Sequence, residues 1–291
     1  MSNITTRNPI VDETPALHRI WNTAFGKVGM ESFFQHIFNP EMCLIAESRK
    51  SPVAMGHLIP NGKVAIGSKS IKCAMIYSVA TLPGYRSKGF GTMIVNDLIN
   101  LSRELGYPAV VLCPSNDELF TYYSQRSELL DCFYVNEQVI TEAPVSTNPT
   151  QLIKVSAKEY NTLREKLLKE LFFIKHDLNI LKYQEELCSE LGGGLYRIGD
   201  SCAVIERQEN GTVLVKEMLT PDLKVIDVAA DAGTVDIIAS IATEFPSKEY
   251  TIRLPSQSGM WRRFGMLALS YSIPDSVTET GFAPWYGMAF D

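Results

Sequence analysis

The chain has no long apolar run: none approaches the ~20 residues that a membrane-spanning helix needs, so no membrane partner is expected. No paired C-x-x-C occurs among its six cysteines, Cys43, Cys73, Cys113, Cys132, Cys188 and Cys202. Scattered through apolar stretches, they are expected to be buried free thiols in a reducing compartment rather than disulfides, and no metal site is predicted. Basic excess is also missing. With 27 Lys and Arg against 33 Asp and Glu, the net charge is −6, which argues against a nucleic-acid partner. It suits a cationic, amine-bearing small molecule, although charge alone is weak evidence. Met1-Ser-Asn-Ile-Thr-Thr-Arg is not followed by the apolar stretch of a secretion signal, so a cytoplasmic protein is expected. What remains is a 291-residue chain, 45% hydrophobic and 21% charged, with room for two domains of ordinary size.

The richest stretch runs from Tyr77 to Thr92. An apolar run with Ala74, Met75, Ile76 and Val79 ends at Pro83-Gly84, a turn signal. A loop with Arg86, Ser87, Lys88, Gly89, Phe90 and Gly91 follows, and Thr92 opens a helix with Ile94, Val95, Leu98, Leu101 and Leu105 at helical spacing. Glycines let the backbone approach a ligand closely. The free N–H groups and positive dipole end of the helix make a cradle for an anion such as a phosphate.

Around this loop the first half reads as helix, helix, meander, loop and helix, strand. Thr14–Gly26 is expected to be a helix with Thr14 as cap, and Met30–Phe38 a second, stopped by Asn39-Pro40. Strands are predicted over Met42–Ala46, Val53–Ile59 and Lys69–Thr81, with Lys50-Ser51-Pro52 and Pro60-Asn61-Gly62 as turns. Gly106 and Pro108 end the loop's helix, and Ala109–Cys113 is a strand predicted parallel to the one before the helix. A helix over Asn116–Gln125 and a strand over Cys132–Ile140 complete the half.

Three phosphate-binding patterns compete for the loop. Gly84 and Gly89 have P-loop spacing, but Phe90 stands where the lysine is needed. The dinucleotide fingerprint fails because Ile94 replaces its third glycine. The remaining pattern, R-x-x-G-x-G, is met throughout by Arg86-Ser-Lys-Gly89-Phe-Gly91.

Val79-Ala-Thr-Leu-Pro83-Gly-Tyr-Arg86-Ser-Lys-Gly89-Phe-Gly91 resembles the V-x-x-x-P-x-x-R-x-x-G-x-G segment of the GNAT N-acetyltransferases. Asn116 and Tyr123 match a later segment of that family, while Ser127 and Glu128 depart from its glycine and aromatic. The resemblance covers roughly residues 10–140. It implies a mixed α/β fold and acetyl-CoA as co-substrate, with the pyrophosphate on Arg86–Thr92. It also implies that the backbone of Val79, Ala80 and Thr81 meets the pantetheine and thioester, with Asn116 nearby.

When an amine attacks a thioester, charge builds on the carbonyl oxygen and then on the sulfur. A backbone N–H where the central strands splay would serve the oxygen. A tyrosine would protonate the sulfur, and the family position selects Tyr123, with Tyr122 as the fallback. His57, Glu47 and the C-terminal carboxylate of Asp291 are candidates for the base, as is water. The last enters through similarity to the enhanced-intracellular-survival acetyltransferases. Domains are expected at 1–143, catalytic, and 150–291, after the Glu142–Thr150 link.

The second half repeats the element order: a strand over Leu152–Val155, helices over Tyr160–Leu171 and Leu178–Leu191, and a meander over Leu195–Ile198, Cys202–Glu206 and Val213–Leu219. A helix over Val235–Phe245 and a strand over Tyr250–Leu254 follow. No R-x-x-G-x-G precedes its last helix. Asp222, Asp227 and Asp231 stand there instead, and would repel a pyrophosphate. Trp261-Arg-Arg-Phe-Gly265 repeats the aromatic-to-glycine spacing with a tryptophan, which gives up no proton for this chemistry; Arg262 and Arg263 read as a solvated face. The expectation is two GNAT-like domains in tandem, the second degenerate and pocket-forming. The rival is a non-catalytic acyl-CoA-binding or regulatory module.

Overall fold

The computed structural model describes residues 5–66, 69–146, 149–225, 227–257, 262–270 and 282–289. Its elements in chain order begin with β1 (Thr6–Arg7), α1 (Thr14–Phe25), α2 (Met30–His36), β2 (Cys43–Ser48), β3 (Ser51–Ile66) and β4 (Lys69–Thr81). Then come α3 (Phe90–Glu104), β5 (Ala109–Leu112), α4 (Asp117–Ser124), β6 (Leu130–Ile140), β7 (Leu152–Lys154), α5 (Ala157–Leu168) and β8 (Phe173–Lys175). The series closes with α6 (Leu178–Glu190), β9 (Gly194–Ile198), β10 (Ser201–Arg207), β11 (Val213–Leu219), α7 (Ala232–Glu244), β12 (Tyr250–Pro255) and β13 (Arg262–Leu269).

Two compact units result. The first takes in the described parts of 1–63, 71–131 and 265–273; the second holds those of 64–70, 132–264 and 274–291. The boundaries expected from sequence follow the chain, whereas the compact units do not. Residues 132–143 count with the second unit and 265–270 with the first.

In the first unit the strand order is β1-β2-β3-β4-β5-β13. β1 and β3 run antiparallel to β2, β5 runs parallel to β4, and β13 runs antiparallel to β5. Such a parallel pair needs a crossover, and α3 supplies it. Ile94, Val95 and Leu98 of α3 pack into one core with Ala54, Ala74, Ile76, Val110, Met266 and Ala268. Gly56 is what allows this approach, since a Cβ there would lie 2.5 Å from Ile94 Cγ2 and 3.0 Å from Leu98 Cδ1. On α1, Leu17, Ile20 and Trp21 form the buried stripe, and Gly26 ends the helix with φ +78°. The expected Thr14 cap is corrected: Glu13 is the N-cap, because a 3-10 turn over Val11–Glu13 leads straight into the helix.

The second unit has the strand order β7-β9-β10-β11-β12-β6. Its successive pairs are antiparallel except for β11 and β12, which run parallel from Val213↔Tyr250 to Val215↔Ile252. Ile237, Ile238 and Ile241 of α7 pack on Ala203, Val213, Val215 and Ile252. Arg164 and Glu217 lie fully buried in this unit. The Arg164 Nε donates to Glu217 Oε1 at 2.8 Å, and its Nη1 donates to the Ile174 carbonyl at 2.7 Å. Tyr160 and the Trp285 indole also donate to Glu217, at 2.8 and 2.7 Å. Lys216 and Glu206 form a second buried pair at 3.3 Å.

One further expectation is corrected here. Pro60-Asn61-Gly62 makes no turn; β3 runs through it, with φ +99° at Gly62 absorbing the irregularity. Arg262–Leu269, for which no element was expected, is a strand whose residues 266–269 pair with β5. Arg262 lies at the surface as expected, its side chain 49% exposed, and its guanidinium pairs there with Glu137, which also accepts from Arg253 Nε at 2.8 Å. β8 carries no turn or alternation signal in its sequence and was not anticipated. Trp261 and Asp291 lie outside the described residues. All six cysteines are free.

Candidate coenzyme and active site

The glycine loop begins as β4 ends. Pro83–Tyr85 forms one 3-10 turn, Arg86 is extended, Ser87 turns left-handed at φ +60°, and Gly89 does so again at φ +85°. Gly89 is the N-cap of α3, and no side chain caps that helix start. The first N–H groups of a helix have no partner within it, so those at the start of α3 are left facing outward. A Cβ placed on Gly89 would meet nothing within 4 Å, and one on Gly91 only the Tyr122 hydroxyl at 3.8 Å. Backbone donors at the end of a 15-residue helix, with open space before them, are suited to an anion.

The loop's cations are held by neutral groups. Arg86 Nε donates to the Thr81 carbonyl at 3.2 Å, and Lys88 Nζ donates to the Gly84 carbonyl at 3.0 Å. The Lys88 ammonium also lies 5.2 Å from the centre of the Tyr85 ring. Both side chains are exposed and keep their charge available. Phe90 contributes only backbone to the loop, because its side chain is buried in the α3 core.

Asn116 caps α4, its side-chain oxygen accepting from the Leu119 N–H at 3.0 Å. This fixes the turn from which Tyr122 and Tyr123 project. Its exposed position makes it a positioning element of that helix. Tyr122 shares a 2.6 Å hydrogen bond with Thr92 on the first turn of α3, and Arg126 covers its ring at 4.7 Å. That ties Tyr122 to the anion cradle. Tyr123 points into the core, 8% exposed, and its hydroxyl is pushed up to about 12, mainly by burial and then by Tyr122. Ser127, standing where the family has glycine, closes α4 by donating to the Tyr123 carbonyl at 2.8 Å.

Next to the loop, β4 outlasts β5. Their register ends at Met75↔Val111, and β5 stops at Leu112, so it offers nothing opposite Tyr77–Thr81. Ser78 interrupts β4 there with φ +48°.

Neither expected base has the surroundings of one. Glu47 is ion-paired with Arg7. His57 is buried, 2% exposed, and its imidazole is lowered to about 3, mainly by burial, with a Tyr77 backbone contact opposing. A base that weak holds no proton near neutrality. Among the described residues no group of side chains is placed to hold a metal ion. No helix among them is long and apolar enough to cross a membrane.

The strand, glycine loop and helix together form a cradle suited to a phosphate-bearing ligand at a helix N-terminus. Residues 6–126 match the family model described as an acetyltransferase (GNAT) domain. The match covers less than half of the chain and takes in the glycine loop, α3 and α4. A comparison with curated proteins gave no match. Among solved structures, the chain is similar to a GCN5-related N-acetyltransferase from Kribbella flavida, with TM-score 0.65 and 15% identity over 92% of this chain and 71% of that one. Eis1 from Mycobacterium abscessus matches with TM-score 0.59 and 9% identity over 92% of this chain and 74% of that one. A putative acetyltransferase from Pyrococcus horikoshii matches with TM-score 0.59 and 15% identity over 99% and 95%. At these identities the likeness is one of fold.

Proposed function

We propose that this protein is an acetyl-CoA-dependent N-acetyltransferase that acts on a primary amine of a small molecule. The observation that carries the reading is the uncapped start of α3, reached through two left-handed residues and flanked by Arg86 and Lys88, whose partners are carbonyls. This cradle suits a pyrophosphate. Thr92, held by Tyr122, adds a hydroxyl to it.

The pantetheine arm then extends along the Val79–Thr81 edge of β4, which β5 leaves uncovered. A backbone N–H there donates to the thioester oxygen as the amine attacks and a tetrahedral centre forms. As the C–S bond breaks, the Tyr123 hydroxyl supplies the sulfur with its proton. With its pKa raised, Tyr123 keeps that proton throughout the working range of the enzyme. The amine arrives neutral or loses its proton to water, and the proton its nitrogen sheds on becoming the amide returns through water to the Tyr123 phenolate; neither His57 nor Glu47 is placed to accept it.

In this reading residues 1–143 are the catalytic GNAT domain and 150–291 a degenerate relative that binds no coenzyme. The acidic residue at the start of α7 supports that division.

Thermal melting with acetyl-CoA, followed by thiol release across an amine panel, tests the proposal. A ligand at 100 times its Kd adds about 2.7 kcal/mol to stability, so a clear rise in Tm is expected. Tyr123→Phe is expected to lower kcat by roughly 10²-fold or more while leaving coenzyme affinity unchanged. Unchanged kcat would remove Tyr123 from the mechanism. Coenzyme binding without turnover on any amine would favour the non-catalytic acyl-CoA module.

A further inference from the structure

Ser78 is a β-carbon-bearing residue held in the left-handed region inside a strand, where such a conformation is strained. Its effect on β4 is visible in the side-chain phase. Ala74 and Ile76 face the α3 core, and regular alternation would put Ser78 beside them and Val79 on the opposite face. Instead Val79 packs against that core, where its Cγ2 would lie 3.4 Å from a Cβ on Gly56. Ser78 turns away from it, and its Oγ lies 2.6 Å from His57 Nδ1.

His57 is well placed to hold that turn. It lies on β3 between Gly56 and Leu58, which both face α3, and so projects from the other side of the sheet. Its ring is walled by Trp21, Phe33, Phe34 and Phe38, with centroid separations of 6.4, 4.9, 6.1 and 5.8 Å. An imidazole packed this way cannot swing aside. The kink it holds falls where β4 parts from β5 and leads into Val79–Thr81.

We propose that His57 is a positioning residue: through Ser78 it holds the left-handed kink that turns the Val79–Thr81 backbone toward the thioester carbonyl. The proposal rests on the acetyl-CoA reading above. It gives the buried histidine a task without any proton transfer.

Two substitutions at one position separate this from a merely structural contact. Ser78→Ala and Ser78→Gly both lose the hydroxyl, but only glycine adopts positive φ without strain. The affinities of wild type and both variants for CoA and for acetyl-CoA are measured by calorimetry, with kcat alongside. Only acetyl-CoA carries the carbonyl. The expected result is that Ser78→Ala keeps its CoA affinity, loses the preference for acetyl-CoA, and falls roughly tenfold to a hundredfold in kcat. Ser78→Gly is expected to stay near wild type in both. Equal behaviour of the two variants would overturn the proposal, as would equal weakening of CoA and acetyl-CoA, or a wild type that binds both alike. A wild type that binds neither would instead remove the acetyl-CoA reading, and this inference with it.

Discussion

The two units share a strand order and a parallel central pair, yet they treat the helix that connects that pair in opposite ways. In the first, α3 begins at Gly89 with no side-chain cap. In the second, α7 begins at Asp231, whose carboxylate accepts from the Thr234 N–H at 2.8 Å. A helix start is an anion site in either case. The second unit fills its own with a covalently attached anion, whereas the first leaves it to a ligand. Their charges differ in the same sense. The first keeps Arg86 and Lys88 at the surface, while the second buries Arg164 with Glu217 and Lys216 with Glu206. In the function proposed above, one fold thus serves as a binding site in one unit and, in the other, has its helix start capped and charged pairs buried.

The contrast can be broken most severely from inside the second unit. Glu217→Ala strands Arg164 without its carboxylate, and removing one partner of a buried pair costs about 3–5 kcal/mol. Denaturant titration is expected to show that loss. Next in size, Gly89→Asp would give α3 the kind of cap that α7 has. An attached carboxylate in the cradle, together with strain at φ +85°, is expected to weaken CoA binding about a hundredfold, which is about 2.7 kcal/mol. Calorimetry reads it directly, and unchanged affinity would mean that the coenzyme lies elsewhere.

The third effect depends on pH. His57 titrates near 3 when folded, below the unfolded value of 6.5. Between those values the unfolded chain binds the extra proton, so stability is full above pH 6.5 and falls as the pH drops toward 3. In that window the native state loses about 1.4 kcal/mol per pH unit relative to a His57→Phe variant. Parallel pH profiles for the two proteins would show that His57 is solvated. Smallest is Asp231→Ala, which removes a cap and is expected to cost about 1 kcal/mol of stability without changing turnover. If that variant gained measurable CoA binding, the closed site of the second unit would be shown to need only its cap removed.

Much of the local structure was legible from the residues. Lys69–Thr81 and Val213–Leu219 have the predicted bounds, and helix α3 follows from its apolar spacing and the glycine stop at Gly106. The loop could be read because Arg86, Gly89 and Gly91 are close in sequence and act through local backbone geometry. Pro60-Asn61-Gly62 misled because turn chemistry is only a local preference, and a long partner strand can absorb it as a bulge. β13 escaped notice because Arg262–Leu269 becomes a strand by pairing with β5, far away in sequence. The Arg164–Glu217 network was hidden for the same reason, its members being spread from Tyr160 to Trp285.

By itself the sequence determined the anion cradle and its place between a strand and a helix, because glycine conformation, helix ends and nearby charges are short-range matters. It also set the two halves apart, since Asp231 stands at the start of α7 where α3 has a glycine. The tertiary structure alone decided which strand completes each sheet, which tyrosine is tied to the helix start, and what His57 holds. Those outcomes depend on hydrogen bonds and packing between residues far apart in the chain, which no local pattern encodes.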